Sequence, residues 1–243
     1  MTMNITSTFR LDQHVLPTES QQLQDLWRVA KLLVPLGLPL QGWYPPADTP
    51  EHSLLNQAFN ETGPTPAAVS ILKAENQEKE MPGWREASVW NGTEGTGGAL
   101  FKSSLTTALK PFRCTFELSA KRIDAFSNKE LVLPLVLSLL EIWPAMTLEV
   151  HPYKYSAMQQ VFPDRPGVGW MLYLPEVLTA QEVPEAGALI PVLDEKKKKQ
   201  TGTIIVSVAD EPFSSDNPEH VKIANKIEVR LVDQDLLPRY SDL

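Results

Sequence analysis

Residues 160–175, QVFPDRPGVGWMLYLP, combine a rigid corner with an uncharged run, and this combination decides how the second half of the chain folds. Pro163 and Pro166 fix their own φ angles and bias the residues before them toward extended geometry. The two glycines that follow allow the chain to reverse its direction. Residues 170–174 carry no charge before the next proline, which is typical of a strand buried on both faces. The stretch therefore predicts a corner that leads into a central strand.

Further strands are predicted on either side of this corner. Residues 85–90 and 98–107 alternate loosely around a glycine-rich turn, GTEGTGG, which is typical of a hairpin. In residues 112–118 apolar side chains alternate strictly with polar ones, so one face of that strand is expected in the core. Residues 147–155 predict another strand, and residues 203–208, TIIVSV, predict a buried one because they are rich in β-branched side chains.

Helices are predicted where apolar residues recur at helical spacing or follow helix-start residues. Ser127 and Glu130 have the spacing of a capping box, and Asn217 before Pro218 predicts the start of the last helix. The predicted helices cover residues 17–34, 50–59, 68–75, 127–143, 179–189 and 218–232.

The order of these elements indicates an α+β protein. Strands occur in runs, with helices at both ends and no regular alternation of strand and helix, so a mixed or mostly antiparallel central sheet is expected. We predict about five to six strands flanked by helices, with a helical N-terminal segment. We expect residues 1–80 to form that segment, packed on an α+β domain at residues 81–243 in one continuous globular unit.

Composition narrows the classes of function. The 243 residues carry a net charge of −8 with 42% hydrophobic residues, which allows a large core and indicates a basic partner. Binding to a nucleic-acid backbone is disfavoured, because it requires clustered Lys and Arg. Cys114 is the only cysteine, so we expect a buried thiol and no disulfide. The N-terminus lacks a basic region followed by an apolar one, and no run reaches the ~20 apolar residues of a membrane span, so we expect a cytoplasmic protein.

One pattern matches the sequence motif of a metal-dependent nuclease, namely Pro163-Asp164 followed by Glu195-Lys196-Lys197. Such enzymes hold a divalent cation with two carboxylates and place a lysine beside the attacking water. The second motif lies in DEKKKKQTG, a charge run that is typical of a solvated loop. A nuclease that uses Asp164, Glu195 and Lys197 stays open as an alternative.

Acidic residues also cluster with a histidine between the strand at 203–208 and the last helix. They are Asp210, Glu211, Asp216, Glu219 and His220. Their spacing matches no calcium-binding loop, and acids near a helix N-terminus are favourable without a metal. His14, His52 and His151 are scattered and lack the context of a serine or cysteine nucleophile. We therefore predict no catalytic residue, no cofactor and no metal site.

Five stretches of the second half carry a family resemblance. They are WPAMTLEVHPYKY, QVFPDRPGVGWMLYLP, LTAQEVPEAGALIPV, GTIIVSVADEPFSSDNPEHVKIANKIEVRLVDQDLLP and the closing RY. These stretches resemble the bacterial immunity protein 52 family over residues 85–240, most specifically at residues 162–174 and 202–238. The resemblance implies an antidote that neutralises a polymorphic toxin, usually a nuclease of the restriction-endonuclease-like superfamily, delivered between bacteria by a machine such as the type VI secretion system. It implies no catalytic residue, and no binding motif is carried over.

An acidic protein suits that function, because the cleft of a DNA-degrading toxin is basic and attracts negative charge. We predict that the contact surface draws on the strand-to-helix connection and on the corner. The predicted contact residues are Asp164, Arg165, Trp170, Asp210, Glu211, Phe213, Asp216 and Glu219. For Trp170 the alternative is a place in the core, and for the acids a role as helix-end charges. Two other functions stay open, namely the nuclease described above and an adaptor that carries a toxin without inhibiting it.

Overall fold

The computed structural model describes residues 1–11, 15–78, 81, 83–107, 113–194, 196 and 198–243. His14, Phe112, Glu195 and Lys197 lie outside the described residues. The described residues form ten strands and six α-helices. In chain order these are β1 (Thr2–Phe9), α1 (Glu19–Leu32), α2 (Pro50–Ser53), β2 (Phe59–Asn60), β3 (Gly63–Pro64), α3 (Pro66–Glu78), β4 (Trp84–Trp90), β5 (Ala99–Thr106), β6 (Cys114–Lys121), α4 (Lys129–Ile142), β7 (Ala145–Pro152), α5 (Tyr153–Met158), β8 (Met171–Leu174), β9 (Ala188–Leu193), β10 (Gln200–Val206) and α6 (Pro218–Asp233).

The chain divides into two compact units. The first unit combines Met1–Phe9 with Ala145–Leu243, and the second spans Arg10–Pro144. A compact unit need not be a domain that folds alone, so the predicted division at residue 80 stays a prediction.

Five strands of the first unit lie in the order β1-β7-β8-β10-β9, and each is antiparallel to its neighbours. β8 lies between β7 and β10, and all four of its residues are buried. The prediction of a central strand after the corner is therefore confirmed. α6 is capped by Asn217, whose side chain accepts a hydrogen bond from the Glu219 N–H, and the helix buries Ala224, Ile227 and Leu231.

In the second unit β4, β5 and β6 are consecutive antiparallel strands, as the alternating sequence predicts. An aromatic cluster fills the core of this unit, in which Trp43, Phe59 and Phe116 surround Phe101 at ring-centroid distances of 4.5, 6.4 and 6.3 Å. Cys114 is buried, and burial raises the pKa of its thiol. The thiol therefore acts as a small apolar group in the core.

The fold class is α+β and the sheet is antiparallel, but the sheet has eight strands and not the predicted five to six. One additional strand, β1, lies where a helical segment is expected. Its apolar alternation is interrupted by Ser7, which is buried, and its partner β7 is distant in sequence. Periodicity within a short window therefore does not reveal β1.

The prediction of a helix at residues 179–189 is wrong, because these residues form turns followed by the start of β9. Pro191 lies inside β9, which is the edge strand of the first unit, and an edge strand tolerates a missing backbone N–H. The helix-start residues near Thr179 act instead in a turn, where the side chain of Glu182 accepts a hydrogen bond from the Thr179 N–H at 2.8 Å.

The longer helices are confirmed with adjusted bounds. α4 is capped by Asn128 and not by Ser127, and the Asn128 side chain accepts a hydrogen bond from the Glu130 N–H at 2.9 Å. The predicted strand at residues 147–155 ends at Pro152, where α5 begins. Among the described helices, none is both long enough and apolar enough to cross a bilayer.

Candidate functional site

The corner at residues 160–170 is held by two buried carboxylates from different elements of the first unit. Glu228 of α6 accepts hydrogen bonds from the Val161 N–H at 2.7 Å and the Val168 N–H at 3.0 Å. Glu149 of β7 accepts one from the Gly167 N–H at 2.8 Å. The corner therefore owes its shape to side chains that are distant in sequence as well as to its own prolines.

Two tyrosine hydroxyl groups complete this buried network. The Tyr155 hydroxyl donates to Glu228 Oε1 at 2.5 Å, and the Tyr240 hydroxyl donates to Glu149 Oε1 at 3.1 Å. Burial raises the pKa of Glu228, and burial together with the neighbouring Glu228 raises the pKa of the Tyr155 phenol. Both carboxylates are almost fully buried, so this network supports the corner and does not offer reactive groups to solvent.

A close backbone approach fixes the point where the corner enters the sheet. Gly169 has a φ of +47°, and a Cβ at this position would lie 2.3 Å from the Cβ of His151. The next residue, Trp170, donates its backbone N–H to the Val150 carbonyl at 2.9 Å, which extends the pairing of β7 with β8. Only glycine fits this position, because both the φ angle and the contact exclude a side chain.

The structure separates the eight predicted contact residues into three groups. Arg165 is half-buried, whereas Trp170 and Phe213 are buried. The exposed group consists of Asp164, Asp210, Glu211, Asp216 and Glu219.

The two predicted aromatic contacts belong to the core of the first unit. The Trp170 indole N–H donates to the Val208 carbonyl at 3.1 Å, and the Phe213 ring packs edge-on against the Tyr155 ring with centroids 5.6 Å apart. Neither ring is accessible to a partner. Their contribution is to hold the corner and the strand-to-helix connection in place beneath the exposed acids.

Asp164 and Arg165 bind the C-terminal segment to the corner. The Arg165 guanidinium donates to the Leu237 carbonyl, and the Asp164 carbonyl accepts the Tyr240 N–H at 2.9 Å. The Asp164 carboxylate forms an exposed ion pair with Arg239 at 3.5 Å. The charged pair at the corner is thus partly structural, and only the Asp164 carboxylate faces solvent.

Two of the exposed acids pair with lysines of the first unit, one in the connection (residues 207–217) and one at the start of α6. Asp216 lies 2.6 Å from Lys154, and the hydrogen bond from Lys154 lowers the pKa of the Asp216 carboxyl. Glu219 at the start of α6 lies 3.4 Å from Lys222. For Asp210, the described residues provide no ion pair within 4.0 Å.

His220 has a structural role in this connection. Its Nδ1 atom accepts the Ser214 N–H at 3.1 Å, which assigns the ring proton to Nε2, and Nε2 donates to Glu211 Oε1 at 3.0 Å. No group of three or more His, Cys, Asp or Glu side chains within the described ranges is arranged to hold a metal ion.

Sequence reasoning missed an open groove on the first unit. Its volume is about 870 Å³, and α5, the end of the connection and the exposed side of α6 line it. Lys154, Asp216, Lys226, Val229 and Arg230 are among its lining residues. The four-residue spacing of Lys222, Lys226 and Arg230 is visible in the sequence, but the facing wall is set by tertiary packing.

Comparison with known proteins identifies a family and a solved structure of similar fold. A family model described as immunity protein 52 matches residues 26–239. Among solved structures, the T6SS (type VI secretion system) protein PA0821 of Pseudomonas aeruginosa is similar, with a TM-score of 0.54, 11% sequence identity and coverage of 94% of this chain and 72% of that chain. At this identity the likeness shows a shared fold and nothing further. No curated protein sequence matches the chain significantly.

Proposed function

The chain belongs to the immunity protein 52 family, and we propose that it acts as an antidote, binding and neutralising a nuclease-type antibacterial toxin by protein–protein contact. The match of the family model to residues 26–239 is the observation that carries this proposal. We extend the proposal to delivery of the toxin by a type VI secretion system, because a solved protein of similar fold is described as a T6SS protein. We place the antidote in the cytoplasm, where a nuclease would act on the genome.

The charge of the protein supports a nuclease as the target. A toxin that cleaves nucleic acid needs a basic cleft, and a protein of net charge −8 is attracted to such a cleft over distances comparable to the Debye length. The five exposed acids, Asp164, Asp210, Glu211, Asp216 and Glu219, form the proposed acidic surface. Exposed ion pairs are weak, so Asp216, Glu219 and Asp164 can exchange the cation that each pairs with for one of the toxin.

Co-expression tests this function directly. The effector gene beside the antidote gene is induced in a sensitive bacterium, alone and together with the antidote. We expect growth arrest without the antidote and normal growth with it. Arrest that persists while the two proteins co-purify would identify an adaptor, and arrest without co-purification would exclude both functions.

The nuclease alternative is tested with the purified protein alone. Asp164 is paired with Arg239, and the other two residues of that hypothesis, Glu195 and Lys197, lie outside the described part of the chain. We expect no cleavage of DNA or RNA in Mg²⁺. Cleavage that is abolished by Glu195→Ala would replace the antidote function by an enzymatic one.

A further inference from the structure

The exposed side of α6 carries a row of cations to which the proposed acidic surface gives no function. Lys222, Lys226 and Arg230 are four residues apart, so their side chains lie along one line of the helix. Val229, beside Arg230, is 42% exposed. The opposite side of the helix is buried in the first unit, so this exposed side is free of the core.

α5 contributes polar side chains to the groove, and α6 contributes apolar ones. Lys154 and Gln159 line the groove from α5 and its C-cap, whereas Pro218, Val221 and Val229 line it from α6. Arg230 also lines it, and arginine is enriched in protein–protein interfaces relative to the rest of the surface. A volume of about 870 Å³ is large enough for side chains from one segment of another protein.

Lys226 is the groove cation whose neighbouring carboxylates among the described residues lie beyond ion-pair distance. Lys154 pairs with Asp216 and Arg230 pairs with Glu185, each at 2.6 Å, and Lys222 lies 3.4 Å from Glu219. Around Lys226 the described residues place no carboxylate within the 4.0 Å of an ion pair. Lys226 also lies in the middle of the row, where an incoming carboxylate would meet positive charge from both sides.

We propose that this groove, lined by α5, residues 215–216 and the exposed side of α6, binds a segment of the toxin that combines carboxylates with apolar side chains, as an amphipathic helix does. Carboxylates of the segment pair with Lys226 and its neighbours in the row, and its apolar side chains pack on Val221 and Val229. This inference rests on the proposed function, and it adds cationic contacts beside the acidic surface, with which the groove shares Asp216. Two contacts of opposite sign fix the orientation of the toxin, which one acidic surface alone does not.

The test compares two lysine reversals that change the net charge equally. Lys226→Glu lies in the groove, and Lys196→Glu lies at an exposed position between β9 and β10. Affinity and rates are measured by surface plasmon resonance against an inactivated toxin domain encoded by the neighbouring gene. We expect Lys226→Glu to weaken binding by about tenfold or more through faster dissociation, whereas Lys196→Glu leaves affinity unchanged or raises it.

Only Lys226→Glu is expected to lose affinity, and this difference between the two variants separates contact in the groove from long-range attraction. Both variants are more acidic, so attraction to a basic toxin alone predicts that both bind equally well or better than the wild type. Lys226→Arg retains the charge and is expected to bind within about threefold of the wild type. Equal behaviour of the two reversals would overturn the groove and leave the antidote function intact, whereas a wild type that does not bind the toxin would overturn both.

A second variant identifies what occupies the groove. Val229 is exposed, so replacement by a photo-reactive phenylalanine analogue leaves the core of the first unit unchanged. We expect cross-links to a toxin peptide that contains Asp or Glu, identified by mass spectrometry. A cross-link to a peptide rich in Lys and Arg would overturn the proposal, as would a cross-link to a second copy of the antidote that persists when toxin is added.

Discussion

At the scale of single residues, the hydrogen bond from the Tyr155 hydroxyl offers a direct test of the network that holds the corner. It donates to buried Glu228 at 2.5 Å, and replacing it by hydrogen leaves that carboxylate with one donor fewer. We expect Tyr155→Phe to lower the free energy of unfolding by about 1 to 3 kcal/mol, measured by urea denaturation. Tyr153→Phe is the matched control, because Tyr153 is exposed, and an equal loss in both variants would contradict the account.

Glu228 gives the protein a specific dependence of stability on pH. Burial raises its pKa above the ordinary value of 4.5, so above pH 4.5 the folded state retains a proton that the unfolded state has lost. The stability that this group contributes therefore falls as the pH rises from 4.5 to the folded-state pKa. We expect the unfolding free energy of the wild type to decrease across that window relative to Glu228→Gln. A relative increase would show that the pKa is lowered.

These residue roles were only partly predictable from the sequence. The sequence predicts the corner because proline and glycine restrict or free the backbone locally, and it allows a place in the core for Trp170. Glu149 and Glu228 gave no signal, because a carboxylate is normally exposed and only the tertiary fold shows that both accept backbone N–H groups. Phe213 lies in an acid-rich connection, so its burial also becomes visible only in the tertiary fold.

At the scale of elements, β1 is the strand that the local sequence pattern does not reveal. It pairs with β7 from Met3↔Pro152 to Phe9↔Ala145, and without it the N–H and C=O groups of one side of β7 lose their partners in the first unit. Ile5 is fully buried in β1, so we expect Ile5→Ala to lower the unfolding free energy by about 2 to 5 kcal/mol. The half-buried Thr2 provides the control, and chemical denaturation of Thr2→Ala should show a loss below about 1 kcal/mol. A small effect of Ile5→Ala would mean that β1 adds little to the sheet.

α6 shows how one element serves both the core and the surface. Its buried side holds Glu228 against the corner, and its exposed side carries the cation row of the groove. The helix and its Asn217 cap were predicted from spacing, because an amphipathic pattern reports which side faces the core. The groove is not predictable from spacing, since it requires α5, which the sequence presents as the end of a strand.

At the scale of the whole molecule, the net charge of −8 predicts fast, salt-dependent association with a basic toxin. We expect the triple reversal Asp210→Lys, Glu211→Lys and Asp216→Lys to slow association at low salt by about tenfold and to flatten its salt dependence. Stopped-flow fluorescence at several ionic strengths measures both quantities.

The control for this triple variant is a set of three exposed acids in the second unit. Asp48→Lys, Glu61→Lys and Glu94→Lys together change the net charge by the same amount. Equal slowing by the two sets would show that only total charge matters, and it would remove the acidic surface from the account.

The central claim is that this protein stops a toxin by binding it and breaks no bond itself. Titration of the purified antidote into the purified toxin, with nucleic-acid cleavage as the readout, tests it most directly. The account predicts that cleavage falls linearly and reaches zero at a fixed molar ratio, with the antidote recovered intact from the complex. Cleavage that continues at a large excess of antidote, or cleavage by the antidote alone, would contradict it.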